Sequence, residues 1–116
     1  TARCIVRAAG LSHQGLVRDQ NEDRFVIDQS IGCYLVADGM GGHQAGEVAS
    51  SIASEVVANK LARVSGKSQV DPAKSLREAI ASAHQAVRKQ AGKSLSQRGM
   101  GSTVVVAWLQ PSSCQL

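Results

Sequence analysis

The hydrophobic and polar positions divide the chain into strand-like segments near both ends and two helical segments between them. Apolar residues run or alternate over residues 3–10, 24–29 and 33–37, which predicts three strands. Residues 29–32 predict a hairpin turn between the second and third strands. The glycine-rich segment 38–42 predicts a sharp break in regular structure immediately after the third strand.

Apolar residues then recur at steps of three and four, which indicates amphipathic helices over about 45–65 and 72–91. A loop over 65–69 separates them, and Asp71 before Pro72 is typical of a helix start. Gly92 indicates the end of the second helix. Residues 102–109 predict a buried strand, so the order favours an α+β fold with helices on a largely antiparallel sheet. The repeated apolar positions are Ala49, Ile52, Ala53, Val56, Val57, Leu61 and Val64, then Leu76, Ile80, Ala83, Val87 and Ala91.

Composition narrows the class of protein. A chain of 116 residues that is 43% hydrophobic suits one ordinary domain and argues against disorder. Cys4, Cys33 and Cys114 are widely spaced, which predicts reduced thiols rather than disulfides or a zinc site. No apolar run approaches the roughly 18 residues of a membrane helix, and no leader is visible. We therefore expect no membrane segment and a cytoplasmic location.

The net charge of +4 is unevenly distributed. Residues 1–50 hold four basic and six acidic side chains, whereas residues 51–116 hold nine basic and three acidic ones. The basic residues are mostly scattered singly, which favours a solvated helical surface. With only three aromatic residues available for stacking on bases, we expect no nucleic-acid partner. The acidic first half is the candidate for chemistry.

Candidate ligand residues stand immediately before and after the predicted hairpin in the sequence. Arg18, Glu22 and Asp23 precede its first strand, and Asp38 and Gly39 follow its second. Carboxylates that converge at one end of a sheet repel one another unless a cation neutralises them, and oxygen ligands select Mg²⁺ or Mn²⁺. A glycine lets a backbone carbonyl approach the ion, and an arginine fork suits a phosphate. This set favours phosphate-ester hydrolysis by metal-activated water, although each motif alone also fits an ordinary polar turn.

Three motifs in this order resemble the metal-dependent serine/threonine phosphatases of the protein phosphatase 2C-like (PPM) family. They are Arg-Asp-Gln-Asn-Glu-Asp at 18–23, Asp-Gly-Met-Gly-Gly-His at 38–43 and Gly-Met-Gly-Ser-Thr-Val-Val-Val-Ala at 99–107. The bacterial branch is the closer likeness. The resemblance implies a four-layer α-β-β-α sandwich of two antiparallel sheets flanked by helices. It further implies that residues 1–116 are the N-terminal portion of a single domain, with the C-terminal portion absent.

The resemblance also implies a role for each matching residue. Asp38 corresponds to the carboxylate that bridges two Mn²⁺ or Mg²⁺ ions, and Gly39 to a residue whose carbonyl binds one of them. Glu22 and Asp23 correspond to acidic residues that bind the ions directly or through water, and Arg18 to the arginine that holds the substrate phosphate. The implied reaction is hydrolysis of phosphoserine and phosphothreonine on proteins. The implied partners are those substrates, with a serine/threonine kinase that acts on the same targets.

Two departures from the family pattern leave alternatives open. Met40 stands where eukaryotic members carry a histidine that is a candidate proton donor, so His43 or a metal-bound water would have to supply the proton. The later Asp-Gly and Asp-Asn motifs, which hold the remaining metal ligands, are missing. An apolar strand such as 102–109 also seldom forms a sheet edge, which favours a partial sequence. The alternative is a catalytically inactive phosphatase-like regulatory or binding module.

Overall fold

The computed structural model describes residues 6–18, 20–42 and 44–110, and the backbone of residues 114–115. Two strands come first, then two long helices, a short 3-10 turn (Leu95–Gln97) and three short strands, which makes an α+β fold as predicted. In chain order they are β1 (Asp23–Asp28), β2 (Cys33–Met40), α1 (Ala45–Val64), α2 (Pro72–Ala91), β3 (Gly101–Ser102), β4 (Val105–Leu109) and β5 (Cys114–Gln115).

The strands form one antiparallel sheet with β2 at its centre. Its order is β1-β2-β4-β5, and β3 pairs with the last residues of β2. The predicted hairpin turn is confirmed, since the Gly32 N–H donates to the Gln29 carbonyl at 3.3 Å. Gly32 has a φ of 71°, a left-handed conformation that glycine adopts without strain. The hairpin thereby brings β1 and the end of β2 side by side.

Both helices pack against one face of the sheet and form the core with it. Trp108 of β4 is fully buried there, and its indole N–H donates to the Ile31 carbonyl at 2.9 Å. Burial raises the pKa of the neighbouring Cys33 thiol to about 11, with a smaller contribution from the Asp28 carboxylate. The buried apolar residues are Cys33, Leu35, Ala37, Val106 and Trp108 of the sheet, Ala45, Ala49, Ala53, Val57 and Leu61 of α1, Leu76, Ala79, Ala83 and Val87 of α2, and Met100.

The helices begin and end close to the predicted positions. Asp71 Oδ1 accepts the backbone N–H groups of Ala73 and Lys74 at 3.1 and 3.4 Å, which satisfies two donors at the start of α2. Ile80 was predicted to face the core and is instead 44% exposed, whereas Ala79 is buried. The close packing of α1 on α2 favours the smaller side chain at the centre of the contact, which places Ile80 at its margin.

The predicted first strand, over residues 3–10, is not found in the described part of that segment. Residues 6–10 pair with no strand, and residues 3–5 lie outside the described residues. The segment instead lies beside the sheet at Gly10, where an added Cβ would stand 2.6 Å from Cε2 of Phe25. Residues 6–10 are exposed, so their apolar pattern does not correspond to burial in the described structure.

Two further predictions on strand limits were wrong. The break expected over 38–42 starts late, because β2 continues through Asp38, Gly39 and Met40. The strand expected over 102–109 is split into β3 and β4, and its burial is confined to one face, with Val105 65% exposed. The interruption spans residues 103–104: the Thr103 N–H still donates to the Asp38 carbonyl, but the Asp38 N–H donates to the Thr103 hydroxyl in return.

Candidate functional site

Asp23 and Asp38 lie directly opposite each other on β1 and β2. The Asp38 N–H donates away from β1, to Thr103 Oγ1, so the two aspartates form a pair without mutual backbone hydrogen bonds. The side chains of such a pair are the closest across an antiparallel sheet. Both residues are exposed, on the face of the sheet opposite the helices. The hairpin thus brings two carboxylates together at the end of the sheet.

Gly39 is the next residue of β2 and faces Glu22 through its backbone. The Gly39 N–H donates to the Glu22 carbonyl at 3.1 Å. Because the N–H and C=O groups of one strand residue project to the same side, the Gly39 carbonyl also points toward Glu22. The return bond, from the Glu22 N–H to the Gly39 carbonyl, is absent from the hydrogen bonds of the described residues. That carbonyl is therefore suitably placed to accept another ligand.

The Glu22 side chain lies on the other face of the hairpin, against the first turn of α1. A Cβ added to Gly46 would stand 2.6 Å from both Cδ and Oε2 of Glu22. Gly39 also approaches this turn, since its added Cβ would stand 1.9 Å from the Gly46 carbonyl oxygen. The two glycines thus let the helix backbone contact the strand end and the Glu22 carboxylate. Glycine within a strand is typical of such close backbone approach.

Ser102 and Thr103 hold the backbone of Asp38 in place. The Thr103 N–H donates to the Asp38 carbonyl at 2.8 Å, and the Thr103 hydroxyl accepts the Asp38 N–H at 3.1 Å. The Ser102 hydroxyl donates to the same carbonyl at 3.3 Å. Nothing in the sequence distinguished a threonine that bonds Asp38 from the β-branched residues that follow it.

The side chain of Arg18 is exposed. It lies in the irregular segment before β1, and within the described residues no ion pair joins it to a carboxylate. Met40 ends β2 with its side chain 56% exposed. His43, the other proton donor considered, lies outside the described residues. The roles considered for Arg18 and His43 therefore stay predictions.

The donor groups at this end of the hairpin suit a hard divalent cation. Asp23 and Asp38 offer carboxylate oxygens and Gly39 offers a carbonyl, which are the ligands that Mg²⁺ and Mn²⁺ prefer. The ion pairs of the described residues are Arg24–Glu47 and Lys74–Glu78, so neither aspartate has a cationic partner there. Within residues 6–18, 20–42 and 44–110, however, no three His, Cys, Asp or Glu side chains surround a single point. The chemistry fits a metal, and the described residues supply part of a coordination shell.

A shallow cleft of about 240 Å³ opens beside the two aspartates. Asp23, Asp38 and Thr103 line its polar end, and Phe25 and Val36 of the uncovered sheet face line its apolar end. This arrangement can hold a cation between two strands and leave one side open to a ligand.

The sequence matches the Protein phosphatase 2C family over residues 9–116. It is 30% identical over 103 residues to the serine/threonine phosphatase stp of Listeria monocytogenes, in a match that covers 85% of this chain and 41% of that protein. The chain therefore spans about two fifths of the length of this relative.

Solved structures of bacterial phosphatases share the fold. The serine/threonine phosphatase PstP of Mycobacterium tuberculosis superposes with a TM-score of 0.71 at 33% identity, covering 85% of this chain and 40% of that one. A structure of the PstP catalytic domain in complex with two manganese ions gives the same TM-score and identity, with 86% and 41% covered. The antiparallel sheet and its two helices thus correspond to part of the phosphatase domain. None of the described helices combines the length and apolar character needed to cross a bilayer.

Proposed function

The chain belongs to the protein phosphatase 2C family, and we propose that it comes from a metal-dependent phosphatase that hydrolyses phosphoserine and phosphothreonine on proteins. The observation that carries the proposal is the facing pair Asp23 and Asp38 at the end of the hairpin, without a cationic partner among the described residues. Like charges directly opposite on a sheet destabilise it unless a cation binds between them. The manganese ions in the PstP structure support the same class of site.

Asp38, Gly39, Glu22 and Asp23 are the residues that we propose hold two or more Mn²⁺ or Mg²⁺ ions. When bound, the ions would supply a water activated for attack on phosphorus. Asp38 would contribute its carboxylate, on a backbone held by hydrogen bonds with Ser102 and Thr103. Glu22 would contribute its carboxylate from the helix-facing side of the same strand end. Gly39 would contribute its backbone carbonyl.

Arg18 is the residue that we propose binds the substrate phosphate through its planar guanidinium. Its exposed position before β1 leaves it able to turn toward the cleft. Met40, whose thioether carries no proton, does not serve as a general acid. Proton delivery to the leaving group then comes from water or from His43.

We further propose that residues 1–116 form the N-terminal portion of a domain whose remaining metal ligands lie beyond this segment. Relatives that are more than twice as long agree with that extent. A cytoplasmic location, with phosphoproteins and the kinase that modifies them as partners, is part of the same proposal. The alternative, an inactive regulatory module, is not favoured, because the relatives of the chain are phosphatases.

The test is Mn²⁺-dependent hydrolysis of a phosphothreonine peptide by the full-length protein. We expect Asp38→Asn to lower kcat by at least about 100-fold, since removal of a metal ligand removes the activated water. Asp28→Asn is the matched control, because Asp28 lies on β1 at the turn end of the hairpin, away from the site, and among the described residues its carboxylate accepts hydrogen bonds only from Ser30. Full activity of Asp38→Asn, or equal losses in both variants, would refute the site.

A further inference from the structure

Arg24 of β1 is joined to α1 by two polar contacts. Its Nε donates to Ser51 Oγ and its Nη2 to Glu47 Oε1, both at 2.9 Å. Glu47 and Ser51 are four residues apart and so lie on the same face of the helix, one turn from each other. The planar arginine fork makes both contacts at once, which a lysine could not do in the same geometry. The first two turns of α1 are thereby tied to the first strand.

This link lies directly beside the Glu22 carboxylate. Arg24 follows Glu22 by two residues, and residues two apart on a strand project to the same face. Glu47 follows Gly46, the helix residue against which the Glu22 carboxylate rests. Two contacts therefore join the start of β1 to the start of α1. The Glu22 carboxylate rests against Gly46, and Arg24 pairs with Glu47. Any shift of the helix start relative to β1 would move the surface that supports Glu22.

We propose that Arg24 is a positioning residue for cation binding by Glu22. By holding the first turn of α1 against β1, it fixes the Gly46 backbone that sets the direction of the Glu22 carboxylate. The same contact fixes the turn against Gly39, whose backbone bonds that of Glu22. The inference rests on the proposed function, because it assigns Glu22 to a metal site.

Positioning and simple electrostatics predict effects of opposite sign. The positive charge of Arg24 repels a cation bound nearby, so its removal alone would strengthen Mn²⁺ binding. If Arg24 acts by holding the helix, its removal leaves Glu22 free to rotate away and weakens Mn²⁺ binding. The direction of the change in affinity therefore separates the two roles. A general loss of stability would move the melting temperature without a change in affinity well below it.

The test titrates Mn²⁺ into the metal-free full-length protein by isothermal titration calorimetry. We expect Arg24→Met to raise the Mn²⁺ dissociation constant about 3- to 10-fold, below the roughly 10–100-fold typical of residues that orient metal ligands, because the Arg24–Glu47 pair is partly exposed. Arg24→Lys keeps the charge and loses the fork, and should weaken binding in the same direction. Ser51→Ala removes one contact and leaves the ion pair, so it should fold normally and show a smaller weakening.

Lys74→Met is the matched control. It removes an exposed pair, Lys74–Glu78, that spans 4.0 Å on α2, and among the described residues neither side chain has a hydrogen bond or ion pair with the hairpin. We expect no change in Mn²⁺ affinity. Unchanged or tighter binding by Arg24→Met and Ser51→Ala would overturn the positioning role, even with a lowered melting temperature. Absence of Mn²⁺ binding by the unmodified protein would overturn the proposed function and this inference together.

Discussion

Gly39 and Gly46 are the residues on which the geometry of the site depends most directly. One lies on β2 and the other on α1. A Cβ on Gly39 would stand 1.9 Å from the Gly46 carbonyl oxygen, and a Cβ on Gly46 would stand 2.6 Å from the Glu22 carboxylate. The side chains of Glu22 and Asp38 flank this contact on opposite faces of the hairpin. A glycine was expected at residue 39 for access of its carbonyl to an ion. Its packing against the helix is a second reason, which a single sequence could not reveal.

Replacement of Gly39 by alanine should destabilise the protein. The new Cβ would stand 1.9 Å from the Gly46 carbonyl oxygen, so the helix start would have to move, at a cost of about 3 kcal/mol. Urea unfolding measures the change in the free energy of unfolding. Gly92→Ala is the control, since Gly92 has helical backbone angles and its added Cβ meets only ordinary contacts at 3.6 and 3.7 Å. Equal stabilities of the two variants would contradict the close contact.

The elements whose limits depend on local interactions were the predictable ones. Helix α2 begins at Pro72, after the Asp71 cap, and ends at Ala91 as predicted, although Gly92 keeps helical angles rather than the left-handed ones of a typical glycine stop. The hairpin was predictable for the same reason. Pairing between distant segments was not: β4 joins β2 across both helices, and the Thr103 hydroxyl bonds Asp38 from 65 residues away. The sequence therefore allowed the prediction that Asp23 and Asp38 lie close together. It did not allow the prediction that Thr103 bonds the Asp38 backbone.

The N-terminal cap of α2 gives a test at the scale of the element. Asp71→Ala leaves the N–H groups of Ala73 and Lys74 without their side-chain acceptor, which should lower the free energy of unfolding by about 1 kcal/mol. Asp71→Asn keeps an acceptor oxygen and should retain most of that stability. Thermal unfolding of both variants checks this. A loss as large in the asparagine variant would mean that the charge of Asp71, rather than its hydrogen bonds, stabilises the helix.

The whole molecule is a two-layer structure in which one sheet face is largely exposed, with residues 8–11 lying beside it. Phe25, Ile27, Val36 and Val105 are 37–65% exposed on that face, opposite the helices. The radius of gyration is 15.5 Å, compared with about 13 Å for a compact domain of this length. Asp23 and Asp38 lie at the end of this same face. The candidate site and the exposed apolar surface therefore share one face of the sheet, which is the face that the proposed continuation of the domain would cover.

The proposed continuation predicts different surface properties for the 116-residue segment and for the full-length protein. The isolated segment should bind a hydrophobic dye such as ANS and self-associate, because an exposed apolar sheet face is an interaction surface. The full-length protein, in which further chain would cover this face, should do neither. Replacing Val36 and Val105 by threonine should reduce dye binding and association of the segment, as followed by fluorescence and sedimentation velocity. Leu95→Thr is the control, since Leu95 is 78% exposed but lies outside the sheet. A segment that stays monomeric and does not increase ANS fluorescence would contradict the proposal that further chain covers this face.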